Sequence, residues 1–286
     1  MSFLITGGNG QLGREWIDYL SGKNIEFKAT DLSELDITHA EQVTDFIRLH
    51  KPKVIINCAA YTQVDKAEDD KELAFLVNAE ASKVLAKVCR EEGIKLIHYS
   101  TDYVFPGNKE DSDLYPDGYP EEAETTPISV YGESKLRGEQ EIKSSGCDFL
   151  ICRISWLCGR YGNNFVKTML KLAETKAELN VVNDQSGCPT YTAQVVEQTF
   201  TLLKNELSGV FHLGSEGIIS WYDFAKEIFR QKGIHITVNP VDTGSYPTKA
   251  KRPAFSKLNT EKISKIDGIH ITHWKDGLKA LLTQLS

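Results

Sequence analysis

No long apolar run occurs in this chain, and its hydrophobic stretches fall far short of the ~20 residues needed to cross a bilayer. A membrane partner is therefore not expected. Nor is there an excess of positive charge, since 33 Lys and Arg face 40 Asp and Glu, a net charge of −7. That balance argues against a nucleic-acid partner and leaves only a local basic patch for a phosphorylated ligand. The six cysteines, Cys58, Cys89, Cys147, Cys152, Cys158 and Cys188, include no Cys-x-x-Cys pair, and no His stands at zinc-ligand spacing. No metal site is expected among them. Thiols in apolar surroundings fit a reducing, cytoplasmic compartment. The segment Met1 to Thr6 lacks a basic n-region and runs directly into a glycine-rich turn, which speaks against a secretory signal. Internal repeats, low-complexity tracts and long linkers are also missing.

What is present reads as an ordinary globular composition: 286 residues, 41% hydrophobic and 26% charged, enough for one large α/β domain with or without a smaller appendage. The first half alternates short apolar strands with helical periodicity. Strands are expected at 3–5, 26–31, 54–58, 95–100 and within 147–155, and helices at 12–20, 40–50, 73–92 and 129–144, with stops before Pro52 and at Gly93. Apolar strands joined by helices predict an α/β fold with a Rossmann-type, doubly wound parallel sheet. After Trp156 the rhythm loosens. A helix is expected at 164–176, a strand at 179–183, and an amphipathic helix at 221–232 behind Ser220 as its N-cap. The stretch 239–259 holds three prolines and little periodicity. The expected division is a dinucleotide-binding domain over 1–155, with returning segments near 186–214 and 268–286. A smaller, loop-rich α/β substrate lobe over 156–185 and 215–267 would cover the carboxyl ends of the main strands, where ligands bind in such sheets.

Two motifs carry chemistry. Gly7-Gly8-Asn9-Gly10-Gln11-Leu12-Gly13 follows the first strand and opens the first helix. Small residues there let backbone approach a pyrophosphate, and the helix dipole favours its charge. Gly7, Gly10, Gln11, Leu12 and Gly13 are thus candidate cofactor contacts. Asp31 ends the second strand, where a carboxylate can bond the adenosine ribose hydroxyls. No Arg stands beside it to welcome a 2′-phosphate, so NADH is favoured over NADPH, with NADPH still open. Asp36 and Ile37 are candidates to flank the adenine, and Ala59-Ala60-Tyr61 is a second place where the chain can pass close to the cofactor.

The second motif is Tyr131-Gly132-Glu133-Ser134-Lys135, in which the Tyr and the Lys share one helix face. A phenol has a pKa of about 10 in water and needs positive charge nearby to move a proton near neutral pH. Lys135, one turn away, supplies it. Ser100-Thr101-Asp102-Tyr103 ends a strand on the active side of the expected sheet, where a hydroxyl can bond a substrate oxygen and hold a carbonyl against Tyr131. Lys249, Lys251 and Arg252 form a small basic cluster in an acidic chain, suited to a diphosphate.

Together these residues resemble the extended short-chain dehydrogenase/reductase superfamily, and within it the reductases of dTDP-linked 4-keto-6-deoxysugars. The likeness runs through 57–68, 99–105, 131–139, Arg153-Ile154-Ser155-Trp156, 164–169, 184–190 and Arg252-Pro253, nearly the whole chain. The resemblance implies hydride transfer from NADH or NADPH to C4 of a dTDP-sugar. Thr101, Tyr131 and Lys135 would be catalytic, with Tyr99 on the cofactor side. Thr62, Asp102, Tyr103, Trp156, Asn164 and Arg252 would line the substrate site. Related 4,6-dehydratases carry Thr-Asp-Glu where this chain has Thr101-Asp102-Tyr103, so elimination lacks its second carboxylate and simple ketone reduction is favoured. Some members dimerise through magnesium held by glutamates. Glu15 matches one such ligand, but Tyr191-Thr192-Ala193-Gln194 offers no second carboxylate. The expectation is no bound metal and a monomer, with a weak homodimer as the alternative. Two other readings stay open: a reductase or epimerase of a different nucleotide sugar, and a non-catalytic nucleotide-binding subunit like the regulatory subunit of methionine adenosyltransferase, which has no need of Tyr131 and Lys135.

Overall fold

A computed structural model describes residues 2–285. Met1 and Ser286, the outer limits of the expected domain segments, lie outside the described residues. In chain order the elements are β1 (Phe3–Thr6), α1 (Gln11–Gly22), β2 (Phe27–Thr30), α2 (Ala40–His50), β3 (Val54–Asn57) and α3 (Lys71–Phe75). A π-helical turn at Leu76–Glu80 leads into α4 (Ala81–Glu92), followed by β4 (Lys95–Thr101), α5 (Val130–Ser145) and β5 (Phe149–Ile154). Then come α6 (Phe165–Ala173), β6 (Glu178–Val182), α7 (Thr192–Lys204), β7 (Gly209–His212), α8 (Trp221–Lys232), β8 (Thr237–Val241) and α9 (Trp274–Gln284).

β1, β3, β4 and β5 are apolar on both faces because helices cover both sides of their sheet. Its order is β7-β5-β4-β3-β1-β2 and every pairing is parallel. Alternate residues feed two cores. Phe3, Ile5, Ile56 and Ile97 pack with Trp16, Val195 and Leu202 on one face. Leu4, Ile55, Leu96 and Ile151 pack with Val43, Ile47 and Leu85 on the other. The helices stop where the sequence signals it: α2 closes on Lys51 in the left-handed region before Pro52, and α4 closes on Gly93 at φ 65°.

A third core joins Val166, Leu179, Phe224, Ile228, Trp274 and Leu282, so α6, α8 and α9 form the second lobe around the parallel pair β6–β8. Within 268–286, Ile269 and Ile271 pack into the sheet core, while α9 packs into the third core. The reason is the apolar face Trp274-Leu278-Leu281-Leu282, which matches α8. Among the described residues no helix is long and apolar enough to cross a membrane.

Candidate active site

The strand order reverses between β1 and β3, and this switch point is where an open parallel sheet leaves a crevice. Gly7 follows β1 with φ +66°, and a Cβ there would lie 2.6 Å from the backbone nitrogen of Ala59, which follows β3. A Cβ on Gly13 would lie 2.2 Å from the Gly7 carbonyl oxygen. Side chains are therefore excluded from the crevice floor by backbone contact. No side chain caps α1, whose N-cap is Gly10, so its amide dipoles are left for an anion. This cradle fits a dinucleotide diphosphate.

Asp31 holds the loop. Its carboxylate accepts from the amides of Asn9 and Leu32, each at 2.8 Å. Asp36 accepts from the Thr38 amide and hydroxyl at 2.9 and 2.7 Å, while Ile37 is buried in the core. Gln11 donates to the Leu157 carbonyl and accepts from Asn164, tying the glycine loop to the second lobe. Leu12 is buried, and Ala59 and Ala60 are half-buried. The Tyr61 amide donates to Asn78 Oδ1 at 2.9 Å and its carbonyl accepts from Asn78 Nδ2 at 3.1 Å. Asn78 Nδ2 also donates to Ser134 on α5.

Ser129 caps α5 by accepting from the Gly132 amide. This places Tyr131 in the first turn and Lys135 one turn deeper. The Gly132 position is forced, because a Cβ would lie 2.3 Å from the Tyr103 carbonyl oxygen. The close approach sets the Tyr131 ring edge-on to Tyr103, centroids 5.5 Å apart, and within hydrogen-bond reach of Thr101. Burial pushes the Tyr131 phenol up and the Thr101 bond pulls it down, with a raised result. Lys135 is 2% exposed. Its Nζ donates to the Tyr99 carbonyl at 2.6 Å and lies 3.2 Å from His98 Nε2. Burial lowers it to about 8, although Glu139 works against that. The lysine is thus seated against β4. Tyr99 offers only this carbonyl to the site, since its hydroxyl faces the opposite core between Trp16 and Thr199.

Asp102 is buried and accepts from the Thr101 hydroxyl at 3.1 Å, while its Oδ2 accepts no hydrogen bond among the described residues, with the Ser256 and Ser155 hydroxyls near enough to lower its carboxyl. Burial raises it to about 6. Arg252 donates to the Tyr103 hydroxyl at 3.1 Å and pairs with Asp65. Lys249 pairs with Asp69, and Lys251 and Thr62 are exposed. A cavity of about 670 Å³ opens beside Tyr103 and Arg252, lined further by Phe165, Met169, Val182 and Trp221. Trp156 stacks on Trp221 at 3.5 Å and holds φ +49°, so it backs the cavity wall. Asn164 caps α6 through its side chain.

Several residues without an assigned sequence role lie directly under this site. Glu139, one turn after Lys135, is fully buried and takes two hydrogen bonds from Arg153 and one from Ser100. Burial alone would raise its carboxyl, but the Arg153 bonds and charge, with Lys143, hold it at about 2. Asn57 and His98 link Thr6 to Lys135. Polar residues inside apolar parallel strands were the signal available for Asn57, His98 and Arg153.

Glu15 accepts from Thr192 Oγ1 at 2.8 Å and stands 3.8 Å from the Arg160 guanidinium, which also pairs with Asp18. The Arg160 cation is the wrong neighbour for a divalent ion, and no cluster of three His, Cys, Asp or Glu among the described residues is placed to hold one. These residues do not fit magnesium.

A doubly wound sheet with a glycine cradle at its switch point, and a Thr–Tyr–Lys set at the end of β4, defines an extended short-chain dehydrogenase/reductase. The family model described as "RmlD substrate binding domain" matches residues 1–286. The dTDP-4-dehydrorhamnose reductase of Escherichia coli K12 is 40% identical over 300 residues, covering 100% of this chain and 98% of that protein. A solved dTDP-4-dehydrorhamnose reductase from Clostridium acetobutylicum is 43% identical with a TM-score of 0.94, covering 100% of this chain and 99% of that one. One from Bacillus anthracis, solved in complex with NADP, is 37% identical with a TM-score of 0.94 and 99% of both chains covered. The chain belongs to the RmlD family.

Proposed function

We propose that this chain reduces the C4 ketone of dTDP-4-dehydro-L-rhamnose to dTDP-L-rhamnose, the last step of dTDP-rhamnose formation, using NADH or NADPH. The observation that carries the reading is the meeting of Thr101, Tyr131 and Lys135 beside the glycine cradle, in a chain 40% identical along its length to a dTDP-4-dehydrorhamnose reductase. When bound, the reduced nicotinamide supplies the hydride. The backbone around Gly7, Gly10 and Gly13 and the start of α1 hold the diphosphate. Lys135 holds the nicotinamide ribose. Thr101 orients the ketone oxygen, and Tyr131 gives its phenolic proton to that oxygen as it becomes an alkoxide. A phenol pushed up by burial is fully protonated near neutral pH, the form needed to donate. Asp102, with one carboxylate oxygen unpartnered, accepts from a sugar hydroxyl. Arg252 meets the diphosphate of the sugar nucleotide, whose carrier lies in the cavity between Tyr103 and Trp221. Tyr103 in place of a second carboxylate leaves no partner for water elimination.

Asp31 favours the 2′-hydroxyl of NADH; the NADP-bound Bacillus anthracis relative is the observation that favours NADPH. The Arg160 cation beside Glu15 supports a metal-independent enzyme, which we further read as monomeric or weakly dimeric and acting in the cytoplasm. The test is loss of absorbance at 340 nm with dTDP-4-dehydro-L-rhamnose and each reduced cofactor, with and without EDTA. Substrate-dependent oxidation that EDTA leaves unchanged is expected. Binding of either cofactor without oxidation would overturn the reductase reading in favour of another nucleotide sugar or a binding role.

A further inference from the structure

Lys135 stands at the end of a hydrogen-bonded chain whose direction is fixed from its other end. The Ala59 backbone N–H, which can only donate, lies 3.2 Å from Asn57 Oδ1. Thr6 Oγ1 donates to the same oxygen at 2.7 Å. The amide nitrogen of Asn57 therefore faces His98 Nδ1, at 3.1 Å. An amide nitrogen only donates, so Nδ1 accepts, and a neutral imidazole then carries its proton on Nε2. Nε2 lies 3.2 Å from Lys135 Nζ. An ammonium there would set two donors against each other; an amine, with a lone pair, accepts the ring proton and still donates to the Tyr99 carbonyl.

We propose that Asn57 and His98 are positioning residues that hold Lys135 as the neutral amine in the cofactor-free protein, by directing the Nε2–H of His98 at its Nζ. The alternative, an ammonium donating to Nε2, needs the ring proton on Nδ1 and the Asn57 amide reversed, which takes the acceptor away from the Ala59 N–H. Burial lowers both groups, His98 well below its usual range; burial, against Glu139, leaves Lys135 at about 8, still an ammonium at neutral pH, so the Nε2–H of His98 must carry the rest of the shift. The charged groups around the lysine are few. Glu139 follows it on α5, neutralised by Arg153 from β5 and Lys143. Tyr131 precedes it, and Asp102 and Tyr103 lie beyond at the end of β4. The pairs Lys71–Glu133 and Lys83–Glu141 tie α5 to its helical neighbours, and Glu68 bonds the Val130 amide.

The inference deepens the reductase reading, because it concerns the same lysine. The buried amine avoids the desolvation cost of a charge until the dinucleotide brings its ribose and diphosphate. The test uses cofactor-free protein, so its failure is seen separately from failure of the 340 nm assay. Protein carrying 13C at lysine Cε is titrated by NMR, with Lys135→Met used only to assign the signal. Lys135 is expected to titrate below about pH 7, roughly three units or more under the surface lysines. In Asn57→Asp the carboxylate accepts from Thr6, Ala59 and the ring alike, which moves the ring proton to Nδ1 and raises the Lys135 midpoint. His98→Gln, a neutral amide able to turn its oxygen toward Nζ, raises it without added charge. A wild-type midpoint above about pH 7 overturns the neutral amine. A low midpoint that His98→Gln leaves in place overturns the role of Asn57 and His98 and leaves burial as the cause, even where Asn57→Asp raises it, because that variant adds a charge. If either variant fails to fold, the 15N shifts of the His98 ring in the wild type decide the same point, since an Nδ1–H ring overturns the proposal.

Discussion

At the scale of single residues, burial, with Asp102 and Tyr103, pushes the Tyr131 phenol up, and the Thr101 hydroxyl pulls it down. Removing only the Tyr131 hydroxyl isolates its chemical part. Tyr131→Phe keeps the ring edge-on to Tyr103 and is expected to lower kcat about 10²–10⁴-fold, the range of a lost general acid. Dinucleotide Kd, read by fluorescence, should stay unchanged, because the cradle is built from Gly7, Gly10 and Gly13. A kcat near wild type would remove Tyr131 from the acid's role. Tyr131, Lys135 and Thr101 were legible because helix spacing and a strand end announce them locally. Asn57, His98, Glu139 and Arg153 were not. Each is one polar residue in an apolar or helical stretch, and they meet only when sheet register aligns Thr6 with Asn57, Asn57 with His98, and Ser100 with Arg153. Register is a property of paired strands, which a single segment does not display.

Elements bring their own constraints. The first turn of α5 presses on the exit of β4 so closely that a Cβ on Gly132 would lie 2.3 Å from backbone oxygen, and on Gly138 2.2 Å from the Asn78 carbonyl. Neither neighbour is a flexible side-chain tip. Gly132→Ala is therefore expected to move the helix start, costing about 1–3 kcal/mol of stability and lowering kcat more than it raises the KM for cofactor. Urea unfolding together with initial rates checks this; a variant as stable and active as wild type would mean the helix start yields freely. The periodicity of 73–92 predicted one helix, and the structure keeps that path but inserts a π turn at Leu76–Glu80. The turn puts Asn78 where it bonds both backbone groups of Tyr61 and the Ser134 hydroxyl, a hydrogen-bonding need that hydrophobic spacing does not encode. β8 was hidden within and just before a proline-bearing stretch. Pro240 is tolerated there because β8 pairs with β6 alone.

Across the whole molecule, the segment after β8, through residue 259, returns over the sheet. Arg252 bonds Tyr103 and pairs with Asp65, and Lys249 pairs with Asp69, contacts between distant parts of the chain that charge clustering alone suggested only as a basic patch. Beneath them a row of polar side chains crosses the parallel sheet and closes on Glu139 and Arg153, a pair with both partners essentially buried. Such a pair is costly to break from one side, because the remaining charge stays in low dielectric. Its pH dependence has a definite sign. The Glu139 carboxyl is held at about 2 against an ordinary 4.5, so the folded state binds its proton less readily than the unfolded chain. Its contribution is complete above about pH 4.5 and is lost as pH falls toward 2, with a magnitude on the order of 3 kcal/mol. Glu139→Gln is expected to destabilise the protein by that order at pH 7 in urea unfolding, with the gap from wild type narrowing at pH 3. A gap of equal size at both values would mean that the neutral shape of the side chain, and not its charge against Arg153, anchors α5 to the sheet under the catalytic lysine.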